Sequence, residues 1–340
     1  MNISFKQLFK KKNLIIAVSM IVLIFIGLSA FFLNRERANV LLNEDTTSDT
    51  TNDYIFSSYE VYKDKIIKLI SNNGSFAFID NENNALYTTS DNVEYFRILD
   101  DTSLIYITSS INVSTNKSLC EVKLIDLNTK EESILHSGEK LFLEASNDVI
   151  YIIDALNGNM LYGERNNLKS TSFKKPISKV LSSKGRIFAI NYTIINNIIR
   201  STIYSMVDNN IEEVAICEGK VQSINVDYNN DNIIYYSSLN INSLEDTSSI
   251  EVYKKYLIDL SATSSGLEKL DNLESNVISI KDKYIILDTE SNALYLLNSN
   301  FVKIKRLAYV NENILMSMIK ESSDSECLYF IDKSGSLNKI

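Results

Sequence analysis

A single histidine, three cysteines, one proline and no tryptophan mark this 340-residue chain by what it lacks. Any serine-hydrolase triad or histidine-based metal site would have to run through His136, in SILHSGE. The sequence places His136 in a turn after a strand, with no nucleophile motif beside it. G-x-S-x-G is absent, as are G-x-G-x-x-G and G-x-x-x-x-G-K-[ST], so neither a nucleophile elbow nor a phosphate cradle is present. Cys120, Cys217 and Cys327 stand 97 and 110 residues apart with no C-x-x-C, which indicates neither a zinc ribbon nor a disulfide framework. Each reads as a buried free thiol in an apolar strand; one long-range disulfide is the alternative on the outer face of a membrane. No residue stands out for catalysis, cofactor binding or metal ligation. The expectation is a protein that is not an enzyme and holds no cofactor.

Acidic residues are plentiful, and their grouping gives little chemistry. Asp80–Glu82, Asp208–Glu213 and Asp227–Asp231 are the clusters. The last has a D-x-x-x-D spacing but lacks the glycine turn and distal Glu of a calcium loop. All three read as Asn/Asp hairpin turns. The net charge of -9 is unevenly spread. Six Lys/Arg and one acid fall in the first 37 residues, which leaves residues 38–340 with 28 basic and 42 acidic side chains, a net of −14. A domain this acidic repels nucleic acid and anionic lipid, so neither is expected as a partner.

Leu14 to Leu33, LIIAVSMIVLIFIGLSAFFL, is the one long uncharged apolar run. As a helix its twenty residues span about 30 Å, the thickness of a bilayer's hydrocarbon. Lys6, Lys10, Lys11 and Lys12 precede it, so the N-terminus is expected in the cytoplasm and the bulk of the chain outside. A cleaved signal peptide competes, but Gly27-Leu28-Ser29 and Leu28-Ser29-Ala30 are poor cleavage sites and the run is long for one. The expected order is a cytoplasmic tail (1–13), a transmembrane signal-anchor (14–33), a flexible Thr/Ser/Asp/Asn-rich linker (34–53) of roughly 25 Å mean reach, and an extracytoplasmic domain (54–340).

That domain repeats a phrase. SFAFIDNENNALYTTS begins at Ser75, VIYIIDALNGNMLYGE at Val149, KYIILDTESNALYLLNS at Lys283 and CLYFIDKSGSLNKI at Cys327. Looser copies are LIYITSS at Leu104, RIFAIN at Arg186 and IIYYSS at Ile233. The polar residues closing each apolar run are Asp80, Ser109, Asp154, Asn191, Ser238, Asp288 and Asp332, spaced 29, 45, 37, 47, 50 and 44 apart. Three further strands usually fit between markers, joined by turns of Asn, Asp, Ser and Gly. A period near 40 to 50 residues with four short strands predicts an all-β fold, a β-propeller of six or seven four-stranded blades. Only 29 residues separate the first two markers, so NVEYFRIL at Asn92 belongs to either the first or the second blade. The chain ends two strands into its last phrase. IFSSYEVY at Ile55 is therefore expected to complete the last blade and hide its edge.

The phrase, aromatic–apolar–apolar–Asp followed by Leu-Tyr, resembles the propellers of the low-density-lipoprotein-receptor type. It is similar above all to their relatives in membrane-anchored Firmicutes surface proteins. The receptor-type Trp is absent, and Gly follows in the hairpin only at Gly158 and Gly335. The resemblance implies scaffold roles for Asp80, Asp154, Asp288 and Asp332, bonding nearby backbone, and it implies partner recognition. The expected function is a membrane-anchored binding module for an envelope protein or glycan. Two alternatives stay open: a propeller-type glycan hydrolase or lyase, marked by carboxylates converging at the channel mouth, and a scaffold in an envelope or secretion assembly. Sialidase turns are excluded by the missing Trp. Variation among the copies points to Ser110–Leu119 and Ser238–Ser249 as the functional loops, and most of the 19 tyrosines read as blade packing.

Overall fold

A computed structural model describes residues 55–340, apart from 63–64, 113–115, 208–209, 243–246, 258–266, 311–319, 322–326, 333–336 and a few single positions. The expected tail, transmembrane helix and linker (1–53) lie outside the described residues. Among the described residues no helix is long and apolar enough to cross a membrane.

The described chain is all strand and turn. The first sheet is β1 (Ile55–Tyr62), β2 (Lys65–Asn72), β3 (Ser75–Ile79) and β4 (Ala85–Thr89). The second is β5 (Val93–Asp100), β6 (Ser103–Asn112), β7 (Lys117–Asp126) and β8 (Glu132–Gly138). The third is β9 (Leu141–Ser146), β10 (Val149–Asp154), β11 (Asn159–Glu164) and β12 (Asn167–Ser172). The fourth is β13 (Lys179–Ser183), β14 (Arg186–Ile195), β15 (Ile198–Val207) and β16 (Asn210–Glu218). The fifth is β17 (Lys220–Val226), β18 (Ile233–Asn242), β19 (Thr247–Tyr256) and β20 (Leu267–Leu270). The sixth is β21 (Val277–Ile280), β22 (Lys283–Asp288), β23 (Ala293–Leu297) and β24 (Lys303–Tyr309). The seventh has three strands among the described residues: β25 (Lys320–Glu321), β26 (Leu328–Ile331) and β27 (Leu337–Lys339).

Every sheet is an antiparallel meander in chain order, and consecutive sheets meet through their first strands, β5 to β9 to β13 to β17 to β21. That is the arrangement of a β-propeller, with the first strand of each blade innermost. Neighbouring inner strands run parallel: Lys179 reaches Gln222 and Ser183 reaches Val226, both 43 residues on.

The apolar phrases of the sequence are mostly second strands, and the reason is physical. A second strand is covered on both faces, so it reads as a continuous apolar run rather than an alternation. Leu104 and Tyr106 of β6 pack against Ile67, Leu69 and Phe78 of the first sheet. Ile105 and Ile107, between them in sequence, pack the opposite way onto Leu141, Leu143, Ile150 and Ile152 of the third. Ile153 and Met160 likewise meet Ala189 and Tyr204 across the next gap. The remaining apolar clusters fill the gaps between the fourth and fifth, fifth and sixth, and sixth and seventh sheets.

Two expectations are corrected. The strand at Ile55 pairs with β2 in the first sheet and does not complete the seventh. Only two residues separate β1 from β2, and a local hairpin forms at far lower closure cost than a pairing with the chain's other end. The first and seventh sheets instead meet where the Tyr59 hydroxyl donates to the Tyr329 main-chain carbonyl at 3.4 Å. The short first interval also has a cause. Asp80 closes β3, whereas the other six markers fall in or directly after second strands. What repeats is the turn device. Asp154 accepts from the Leu156 amide, Asp288 from Glu290 and Ser291, Asp80 from Glu82 and Asn84, and Asp126 from Asn128 and Thr129. The same Asx turn thus serves second-to-third and third-to-fourth hairpins alike. NVEYFRIL forms β5 and opens the second blade.

Candidate functional site

The inner strands carry a polar seam along the axis of the ring. In blades one to three it is charged. Arg97 of β5 lies between Glu60 of β1 and Glu144 of β9. Its Nε and Nη2 donate to the Glu144 carboxylate at 2.9–3.1 Å, and Nη1 donates to Glu60. Tyr95 stacks beneath the guanidinium, 4.6 Å from ring centroid to Cζ, and its hydroxyl donates to Glu144 at 3.3 Å. Ser182 of β13 adds a 2.8 Å bond to the same carboxylate. Burial alone would lower the Arg97 pKa, but Glu144 and Glu60 outweigh it and push it up. Burial pushes the Tyr95 phenol far above its ordinary value, so it stays protonated as a donor.

In blades four to six the seam is neutral. Ser183 Oγ accepts from the Val226 amide at 2.9 Å, and Asn225 Oδ1 accepts from the Ser279 amide at 2.7 Å. Asp227, at the end of this seam, caps Asn229 and Asn230 and accepts both the Tyr235 and Tyr284 hydroxyls.

One end of the ring carries tall hairpins. β6–β7, β14–β15 and β18–β19 use ten-residue strands where β10–β11 uses six. Because all second strands run the same way, these tips rise from one end, called here the crown. Asn196 and Asn197 both take positive φ (52° and 65°), the pairing a two-residue type I′ turn demands. Ile194, beside that turn, is 74% exposed and Ile111 on β6 is 69% exposed; Ile195 and Ile198 are also solvent-facing.

The sequence-derived candidates fall as follows. In the candidate loops Ser110–Leu119 and Ser238–Ser249, Ser110–Asn112 pairs with Lys117–Leu119 and Asn240–Asn242 with Thr247–Ser249, so their described residues are strand ends at the crown. His136 is a half-buried residue of β8 opposite Val122, not a turn residue. Asp227 and Asp231 diverge, the second reaching out to Lys184. Asp208 lies outside the described residues. No disulfide joins Cys120, Cys217 and Cys327, and burial pushes the Cys217 thiol up to about 11. Among the described residues no three His, Cys, Asp or Glu gather as metal ligands. The Glu60–Arg97–Glu144 seam was not foreseen; its only mark in sequence is a charge flanked by apolar residues, in SYEVY, YFRIL and LFLEAS.

Comparison with solved structures supports the fold class. The β-propeller domain of the Trilobed protease from Pyrococcus furiosus, described as having an open velcro topology, matches with a TM-score of 0.50 at 13% identity, over 74% of this chain and 83% of that one. An oligogalacturonate lyase from Vibrio parahaemolyticus matches at 0.46 and 11%, over 80% and 73%. One of two prolyl endopeptidases matches at 0.49 and 12%, over 85% of this chain and 47% of its own. These likenesses show the fold alone. No protein-family model matches the chain, and no curated protein matches it significantly. The expectation that the protein is not an enzyme is corrected: the propeller domain it is similar to belongs to a protease, so a propeller fold does not exclude catalysis.

Proposed function

We propose that the protein is a membrane-anchored, extracytoplasmic propeller that binds an envelope protein through the crown end. The carrying observation is the set of solvent-facing isoleucines on hairpins longer than the blades need. Such residues gain nothing in solvent, and burying one in a partner contributes roughly 1.5–3 kcal/mol. The apolar run at Leu14–Leu33 and the Lys-rich residues before it support anchorage with the domain outside. The resemblance of the Asp-turn phrases to receptor-type propellers of Firmicutes surface proteins supports recognition, with a scaffold in an envelope assembly as one form of it.

The test is capture from native membranes by the tagged full chain, compared with Ile111→Ser/Ile194→Ser/Ile198→Ser. The partner is expected to be lost from the variant while its melting temperature stays within a few degrees of the parent. Equal recovery by both would refute the crown.

A second reading, a glycan-cleaving propeller, is favoured by Glu60 and Glu144 meeting at one guanidinium in the channel wall. Turnover of an acidic oligosaccharide that vanishes in a folded Glu144→Gln protein would support it.

A further inference from the structure

Three lysines open three successive inner strands at the crown end. Lys140 directly precedes β9, Lys179 begins β13 and Lys220 begins β17. Hydrogen bonds tie them along one arc. The Ala155 amide donates to the Lys140 carbonyl at 2.9 Å, and the Ile177 amide, two residues before Lys179, donates to the Ala155 carbonyl at 2.8 Å. Lys179 Nζ donates to the Gln222 carbonyl at 2.7 Å, and Gln222 Nε2 donates to the Lys220 carbonyl at 3.2 Å. None of the three ammoniums pairs with a carboxylate among the described residues, whereas Lys117, Lys123, Lys184, Lys254 and Lys269 each do. Glu94 and Glu218 are exposed at the same end and form no ion pair with them among the described residues.

We propose that this arc binds a polyanionic glycan, a sugar chain with repeated phosphate or carboxylate groups, laid across the channel mouth at blades three to five. The arc suits a repeating ligand: its three ammoniums belong to three successive blades whose inner strands approach within 8 Å of one another, so a chain charged at each unit meets them in turn. The Phe142 ring, half-buried and 5.9 Å from Lys140 Nζ, offers an apolar face to a sugar beside a cation for its charge. The domain's overall acidity does not oppose this. Beyond a Debye length of about 10 Å at 0.1 M salt the net charge is screened, and the local lysines decide. Burial draws the Lys179 amine down from its ordinary pKa with only a carbonyl as partner, and an incoming anion would raise it again.

The test is fluorescence anisotropy with the full chain in nonionic detergent. The probes are labelled poly(glycerol phosphate), labelled oligogalacturonate, a neutral glucan and decaglutamate. The expected result is binding of one or both anionic glycans that weakens as salt rises. That affinity should fall at least tenfold in Lys140→Gln/Lys220→Gln and further in Lys140→Gln/Lys179→Gln/Lys220→Gln. It should be unchanged in Lys283→Gln on the opposite end and in the crown isoleucine variant. The two-site variant spares half-buried Lys179 and so separates lost binding from lost folding. Binding of neither anionic glycan, binding unaffected by these substitutions, or preference for decaglutamate would overturn the proposal.

Discussion

The two halves of the channel wall solve one problem differently. Inner strands of neighbouring blades must be tied edge to edge where little apolar area is available. Blades one to three tie them with Glu60, Arg97 and Glu144; blades four to six use Ser183, Asn225 and Ser279. The charged half depends on every member. Removing one partner of a buried ion pair strands the other without solvent, while a neutral hydrogen bond contributes on the order of 1 kcal/mol and leaves less behind. The first three blades therefore share one cooperative contact. The later blades are fastened in separable steps.

The largest effect should come from Arg97→Met, which leaves two buried carboxylates facing each other. A loss of about 3–5 kcal/mol is expected in urea denaturation. Adding Glu60→Gln and Glu144→Gln to it should recover a substantial part of that loss; no recovery would mean that the charges are not what holds the strands. On the neutral side, Asn225→Ala orphans the buried Ser279 amide, and about 1–3 kcal/mol is expected by the same measurement. A loss equal to that of Arg97→Met would erase the distinction between the two halves.

Acid should act on the contact between the first two blades next. Burial raises the Glu132 pKa, but hydrogen bonds from Tyr106, Lys123 and Tyr87 outweigh it, and the group titrates below its ordinary 4.5. A carboxylate depressed on folding contributes stability above that value and loses it as pH falls through the folded one. The wild-type melting temperature should thus drop more steeply below about pH 4.5 than that of Glu132→Gln. Parallel curves would remove Glu132 from the account. Smallest of all, Ile194→Ser should change stability by no more than about 0.5 kcal/mol, since a tip side chain packs against little.

The sequence disclosed the parts of this fold that burial writes locally. LIYI at Leu104 and VIYIID at Val149 read as strands because both faces are covered. Asp154 and Asp288 read as scaffold because an Asx turn is a short-range device. The phase of the first blade was misread for the same reason: Asp80 makes that turn one strand later. Long-range facts were not legible. Glu60 and Glu144 lie 37 and 47 residues from Arg97, and only the packing of successive blades makes them neighbours. The solvent-facing isoleucines flanking Asn196-Asn197 were not legible either, because exposure has no mark in composition.

The central claim is that recognition occurs at the crown, above a channel wall that serves as scaffold. Photo-crosslinking tests it most directly, with benzoylphenylalanine at position 194 or 111 on the crown and at 184 or 281 in the turns of the opposite end, in native membranes. The account expects one discrete, shared adduct from the crown positions and none from the opposite end. The same adduct from positions 184 and 281, with none from 194 and 111, would contradict it.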